Sequence, residues 1–207
     1  MFPHAPTKSA IKKAIKKGQI TVNGQTATTA TFIRGEEEIS FLIPESNPQK
    51  KPFIFPLSIL WEDAHLAIIH KPAGIVVSGN QFKTIANALP QNLDVSPCAD
   101  ACPPQPVHRL DYATTGLLLV GKTHSSVRTL NTMFAEKEIE KSYYAITIGA
   151  MKAKGSITSD VDEKASTSHF QVVNSIPSEK FGTLSLVKLN PQTGRRHQLR
   201  KHLSGIG

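Results

Sequence analysis

Disulfide-forming cysteine, long apolar runs and phosphate-binding glycine loops are what this 207-residue sequence lacks. Its two cysteines, Cys98 and Cys102, are too few for a disulfide framework and have no second ligand pair for a zinc site, so both read as free thiols. The stretches LLLV at 117–120 and FIFPLSIL at 53–60 fall far short of the ~18 apolar residues a membrane helix needs, so no membrane partner is expected. The opening MFPHAPTKSA has no apolar signal core, and the expected compartment is the cytoplasm. Neither GxGxxG nor GxxxxGK[ST] occurs, so the expected chemistry uses no nucleotide cofactor and no metal. Acidic residues are also scarce: 16 Asp and Glu face 24 Lys and Arg, a net charge of +8. Such an excess points to a polyanionic partner, nucleic acid first. Hydrophobic residues at 39% exclude a wholly disordered or fibrous chain.

What is present falls into two parts. Residues 9–18 place Ile11, Ala14 and Ile15 on one helical face, with Lys12, Lys13, Lys16 and Lys17 covering the rest. Ser9 can cap the start of this helix, and Gly18 suits the left-handed residue that ends it. QITVNGQTA then alternates apolar and polar residues up to Asn23-Gly24, a hairpin-turn pair, with a further strand expected around 38–43. These elements predict a small helix-and-hairpin module over residues 1–46. PESNPQKKP at 44–52 has a linker's composition, and a larger domain is expected over 53–207.

In that larger part, 65–72 and 116–122 read as buried strands, and 125–141 as a helix with Val127, Leu130, Met133 and Phe134 on one face and Ser125 or Ser126 at its cap. Strands follow at 142–149 and 182–189, then a turn at 190–194 and a helix start over 195–203. Several strands with few helices predict an α+β fold, a mixed and largely antiparallel sheet with flanking helices, beside the small N-terminal helix and hairpin.

Two clusters could carry chemistry. In PVHRLDYATTGLLLVGKT, 106–123, Arg109 and Asp111 precede an apolar strand, and a charge there needs a partner or a purpose because desolvating it unpaired is expensive. A structural Arg–Asp pair, or an Asp capping a turn, fits that position as well as a functional carboxylate does. In TGRRHQLRKHL, Arg195, Arg196, Arg200 and Lys201 gather with His197 and His202 at a helix start, where cations oppose the macrodipole at ~0.3–1 kcal/mol each. Anions facing them would explain the cluster. On the residues alone, Tyr143 reads as an ordinary core tyrosine with its hydroxyl satisfied.

Together these segments resemble an RluA-type pseudouridine synthase. HRLDYATTGLLLVGKT is similar to that family's motif around its essential aspartate, which puts the role on Asp111. KSYYAITIG at 141–149 resembles its Lys-x-Tyr strand with Tyr143 in register, and the arginine ending HQLR is Arg200. WEDAHLAIIHKPAG at 61–74 and EKASTSHFQVV at 163–173 resemble further strands, so the likeness runs over 58–207. The family usually has an acidic residue at Ala113 and a serine at Thr115. SAIKKAIKKGQITVNGQ resembles the alpha-L RNA-binding module often fused to these enzymes.

The resemblance implies that a uridine in ribosomal or transfer RNA is isomerised by a chain acting as a monomer. Asp111 would be the essential carboxylate, with attack on the anomeric carbon, addition to the base and removal of a ribose proton all open to it. Arg200 would sit beside Asp111, Tyr143 would pack on uracil, and Arg109 would take part in extruding the nucleotide. Arg195, Arg196 and the four lysines would contact phosphates. Relatives continue into further strands beyond HLSGIG, so the catalytic domain is expected to be incomplete at its C-terminus. The alternative expectation is a non-catalytic RNA-binding protein on the same scaffold.

Overall fold

The computed structural model describes residues 8–42 and 52–206. The linker expected at 44–52 lies outside the described residues except for Pro52, as does most of the opening segment. The chain divides into two compact units, 1–51 and 52–207.

In the first unit, α1 (Lys8–Lys16) buries Ala14, half-buries Ile11 and Ile15, and turns Lys12, Lys13 and Lys16 to solvent along with Lys17 just beyond it. Gly18, at φ +67°, takes the left-handed conformation that ends the helix, where a side chain would be strained. β1 (Ile20–Val22) and β2 (Gln25–Thr26) pair antiparallel across Asn23-Gly24, both at positive φ as a tight hairpin turn requires. β3 (Ile39–Phe41) flanks β1 on its other side. Ala14, Ile20 and Ala27 form the small core, with Ile11, Ile15, Val22 and Phe41 against it.

The second unit begins with β4 (Ser58–Glu62), β5 (Leu66–Lys71), α2 (Ile85–Ala88), β6 (Ala101–Pro106) and β7 (Gly116–Thr123). These four strands form a sheet of order β4-β5-β7-β6, every pair antiparallel. Ala67, Ile69, Leu118 and Val120 are fully buried on the central strands and pack with Ile75, Val77, Ile85, Leu89, Leu93 and Leu110. Then α3 (His124–Ala135) crosses behind β7. Thr123 caps it and exchanges hydrogen bonds with Ser126, whose backbone N–H donates to Thr123 Oγ1 at 3.1 Å.

β8 (Tyr143–Ile148), β9 (Lys154–Thr158), β10 (Thr167–Ser178) and β11 (Gly182–Pro191) form a second antiparallel sheet of order β8-β11-β10-β9, and α4 (Gln198–Ser204) follows. Its core is Ile157, Phe170, Val187 and Leu189, with Leu199 and Leu203 of α4 packed on it. The fold is therefore α+β and antiparallel, in two sheets.

Two local expectations change. α3 stops at Ala135 rather than reaching 141, because apolar spacing ends at Phe134 and Lys137 turns left-handed at φ +64°. Arg195 and Arg196 lie in the turn before α4, not on the helix itself. β8 agrees with the core reading of Tyr143: Tyr143, Ala145 and Thr147 face the core, while Tyr144, Ile146 and Ile148 face outward.

Candidate active site

The loop from β6 to β7 is pinned at both ends. His108 packs its ring on Phe134, with centroids 4.8 Å apart, and its Nε2 accepts from the Leu119 backbone N–H at 3.0 Å. Burial, with Lys141 adding to it, pushes His108 down to about 4, so the ring is neutral at physiological pH and free to accept that bond. Leu110 is buried in the first core, and the next residue, Asp111, turns outward with its side chain 20% exposed. The Thr114 N–H donates to the Asp111 carbonyl at 3.1 Å and closes the turn.

Lys71, at the end of β5, is fully buried beneath this loop. Its ammonium donates to the carbonyls of Pro72 at 2.9 Å, Thr114 at 2.8 Å and Tyr112 at 3.4 Å. Desolvation lowers its pKa, and the charge of Asp111 works the other way. A buried cation is thus satisfied by backbone oxygens and fastens both sides of the aspartate loop.

The opposite wall comes from the second sheet. Tyr143 packs against both hydrophobic cores, and its phenol is pushed up from the ordinary range by burial and by the nearby Asp111 charge. Two buried polar residues of α4 hold this wall, Gln198 on the turn 191–197 and His202 on the segment around β10. Gln198 accepts from Thr193 Oγ1 at 2.8 Å and from the Arg195 N–H at 3.0 Å, and donates to Ser168 Oγ at 2.8 Å. His202 lies between Ser166 Oγ and Ser168 Oγ at 2.9 and 3.0 Å. His197, at the cap of α4, is held left-handed at φ 54°, an uncommon conformation for a residue with a Cβ. There its Nδ1 lies 2.7 Å from Asp111 Oδ2.

A cavity of about 330 Å³ opens between these walls, lined by Asp111, Tyr143 and His197 and by the cations Arg109, Lys141, Arg195, Arg196 and Arg200. The three residues expected to meet, Asp111, Tyr143 and Arg200, therefore line one chamber. Among the described residues, however, Asp111 pairs with His197 and not with Arg200. Arg109, Arg195 and Arg196 share the chamber as exposed side chains. Lys12, Lys13, Lys16 and Lys17 belong to the other unit. His197 was legible in the sequence only as one member of a basic run, because its contact to Asp111 spans 86 positions.

Chemically, the chamber offers one carboxylate that can act as base or nucleophile, a phenol kept neutral, and a rim of cations suited to a polyanion. Among the described residues, no group of three His, Cys, Asp or Glu side chains could hold a metal. No described helix is long and apolar enough to cross a membrane.

Comparison with known proteins bears on what passes through this chamber. The family profile described as RNA pseudouridylate synthase matches residues 65–205, and that of the S4 domain matches residues 4–39. The ribosomal large subunit pseudouridine synthase D of Xanthomonas campestris is 28% identical over all of this chain and 65% of its own length. An uncharacterized RNA pseudouridine synthase of Aquifex aeolicus is 31% identical over 97% of this chain and 69% of its own. The chain thus spans about two thirds of these relatives. Human RNA pseudouridylate synthase domain containing 4 matches 72% of this chain and 64% of its own with a TM-score of 0.58 at 28% identity.

Proposed function

Because the chain belongs to the RNA pseudouridylate synthase family and carries an S4 domain at its N-terminus, we propose that it isomerises a uridine of structured RNA to pseudouridine, with Asp111 as the essential carboxylate. The observation that carries this reading is the convergence of Asp111, Tyr143 and Arg200 on one cation-rimmed chamber. Several relatives are named for the ribosomal large subunit, which favours ribosomal over transfer RNA as substrate.

The reaction conserves atoms. The bond from uracil nitrogen 1 to the ribose anomeric carbon breaks, the base turns, and carbon 5 bonds to the anomeric carbon. The proton leaving carbon 5 is matched by one gained at nitrogen 1, so no oxidant, reductant or nucleotide is consumed. A base inside a stem cannot reach a recessed carboxylate, so the nucleotide must be extruded, and Arg109 on the exposed rim is the side chain suited to fill the gap.

Asp111 acts as the anion, kept oriented by the His197 imidazole at 2.7 Å. Tyr143 offers an aromatic face to uracil, and burial keeps its hydroxyl protonated. Arg200, Arg195 and Arg196 take phosphates near the target, and the lysines of α1 add contacts that position without reading sequence.

The test is Asp111→Asn in the whole chain, assayed by pseudouridine mapping on large-subunit RNA from cells lacking the gene. Conversion should vanish while RNA retention stays within about twofold, since the amide keeps the shape and removes the anion. Turnover by the variant removes Asp111 from its role. RNA retention by the unaltered chain without any uridine conversion gives the function to a binding scaffold instead.

A further inference from the structure

Asp111 faces the chamber described above, and Tyr112, the next residue, borders a different one. A cavity of about 370 Å³ lies between the start of the second unit and the turn after β5, lined by Phe53, Phe55, Gly74, Gln81, Lys83 and Tyr112 among others. That size falls within the roughly 300–1,000 Å³ range of small-ligand sites.

Its walls are unusually aromatic for this chain. Phe53 and Phe55 stack with ring centroids 5.6 Å apart at 14°, and Phe82, beside the lining rather than part of it, meets Phe53 edge-on at 5.5 Å. With Tyr112, this gathers three of the nine phenylalanines and one of the three tyrosines at one place. Phe53 and Phe55 also cover the first core, so part of their presence is structural. Tyr112 and Phe82 have no such duty: they are 61% and 52% exposed.

The backbone under Tyr112 is fixed, because its carbonyl accepts from the Gly74 N–H at 2.8 Å as well as from Lys71. Gly74 itself sits at φ +80°, and a Cβ there would come within 4.0 Å of the Tyr112 hydroxyl. An exposed ring therefore stands on a rigid base, with an ammonium, Lys83, at the edge of the hollow. Flat aromatic walls with one cation beside them suit a planar, uncharged heterocycle carried on a phosphate chain.

We propose that this hollow is a second nucleobase subsite, which stacks an unpaired base of the RNA strand next to the target uridine. The inference rests on the reading of the Asp111 chamber as the uridine site. Residues 111 and 112 adjoin in the chain, so a strand delivering its target to one cavity carries its neighbouring nucleotide past the other. The stacked base adds affinity and accepts any of the four bases, because every base has a π-face.

The experiment compares the whole wild-type chain with Tyr112→Ala, Tyr112→Phe and Phe82→Ala, their folds checked by circular dichroism. The probes are a nonamer of uridylates and the same nonamer carrying abasic riboses at alternate positions. Stacking predicts that Tyr112→Ala binds the uridylate nonamer about five- to tenfold more weakly. Tyr112→Phe should stay within about twofold of wild type, and the deficit should disappear on the abasic probe. Ultraviolet cross-linking of the uridylate nonamer should map to the peptides holding Phe82 and Tyr112.

Equal affinity of wild type and Tyr112→Ala, or an equal loss on both nonamers, overturns the proposal. An apolar peptide, the other guest such walls could take, predicts that base-independent result. None of these readouts requires turnover, so they fail or succeed separately from the Asp111→Asn assay.

Discussion

The carboxylate of Asp111 is held by a side chain that is itself held in an uncommon shape. His197 reaches it only because the backbone turns left-handed there, while Gln198 fixes the preceding turn and His202 anchors the helix that follows through buried hydrogen bonds. A hydrogen bond to a charged group contributes about 1.5–3 kcal/mol. Replacing His197 by Asn should therefore slow pseudouridine formation about ten- to hundredfold. RNA affinity should change little, which a split of kcat from KM would read out. His197→Gly, which suits the left-handed backbone but lacks the imidazole, should be as slow as His197→Asn if the ring does the positioning. This partner was invisible in the sequence. The segment around Asp111 and the run around Arg200 could be matched to a family separately, but the closing distance between them is set by two sheets and a turn.

Elements were legible where their signals are local. The Asn23-Gly24 hairpin, the apolar face of α3 and the strands β5 and β7 follow from turn chemistry and periodicity alone. On β8 alternation alone specifies two faces without saying which one the sheet buries, and only the core reading of Tyr143 pointed to the face that is buried. The cap of α3 also fell two positions before Ser125 and three before Ser126, on the last residue of β7. β7 and α3 approach closely enough to dictate one residue. A Cβ on Gly121 would lie 2.5 Å from Val127 Cγ2 and 3.1 Å from its Cα, so the helix itself would have to move. Gly121→Ala should destabilise the protein by about 1–3 kcal/mol, seen as a lower thermal midpoint. Gly194→Ala, where nothing lies within 4 Å, is the matched control and should leave that midpoint nearly unchanged.

At the scale of the whole molecule, the net charge of +8 would act, on the proposed function, as an RNA affinity term. Charge counting pointed to a polyanionic partner, and the S4 match adds a module in which Lys12, Lys13, Lys16 and Lys17 remain exposed. Changing all four to Gln should weaken RNA binding and flatten its salt dependence by roughly 0.7–0.9 for each phosphate that is no longer neutralised. The slope of log affinity against log salt concentration measures this, and an unaltered slope would take these lysines off the RNA. Tyr143 poses a different problem for anyone dissecting the reaction. Because its ring is wedged into both apolar clusters, cutting it back to alanine would unseat one half of the larger unit from the other while also emptying the chamber. Only the phenylalanine replacement leaves that keystone in place, and so only it can report what the oxygen contributes.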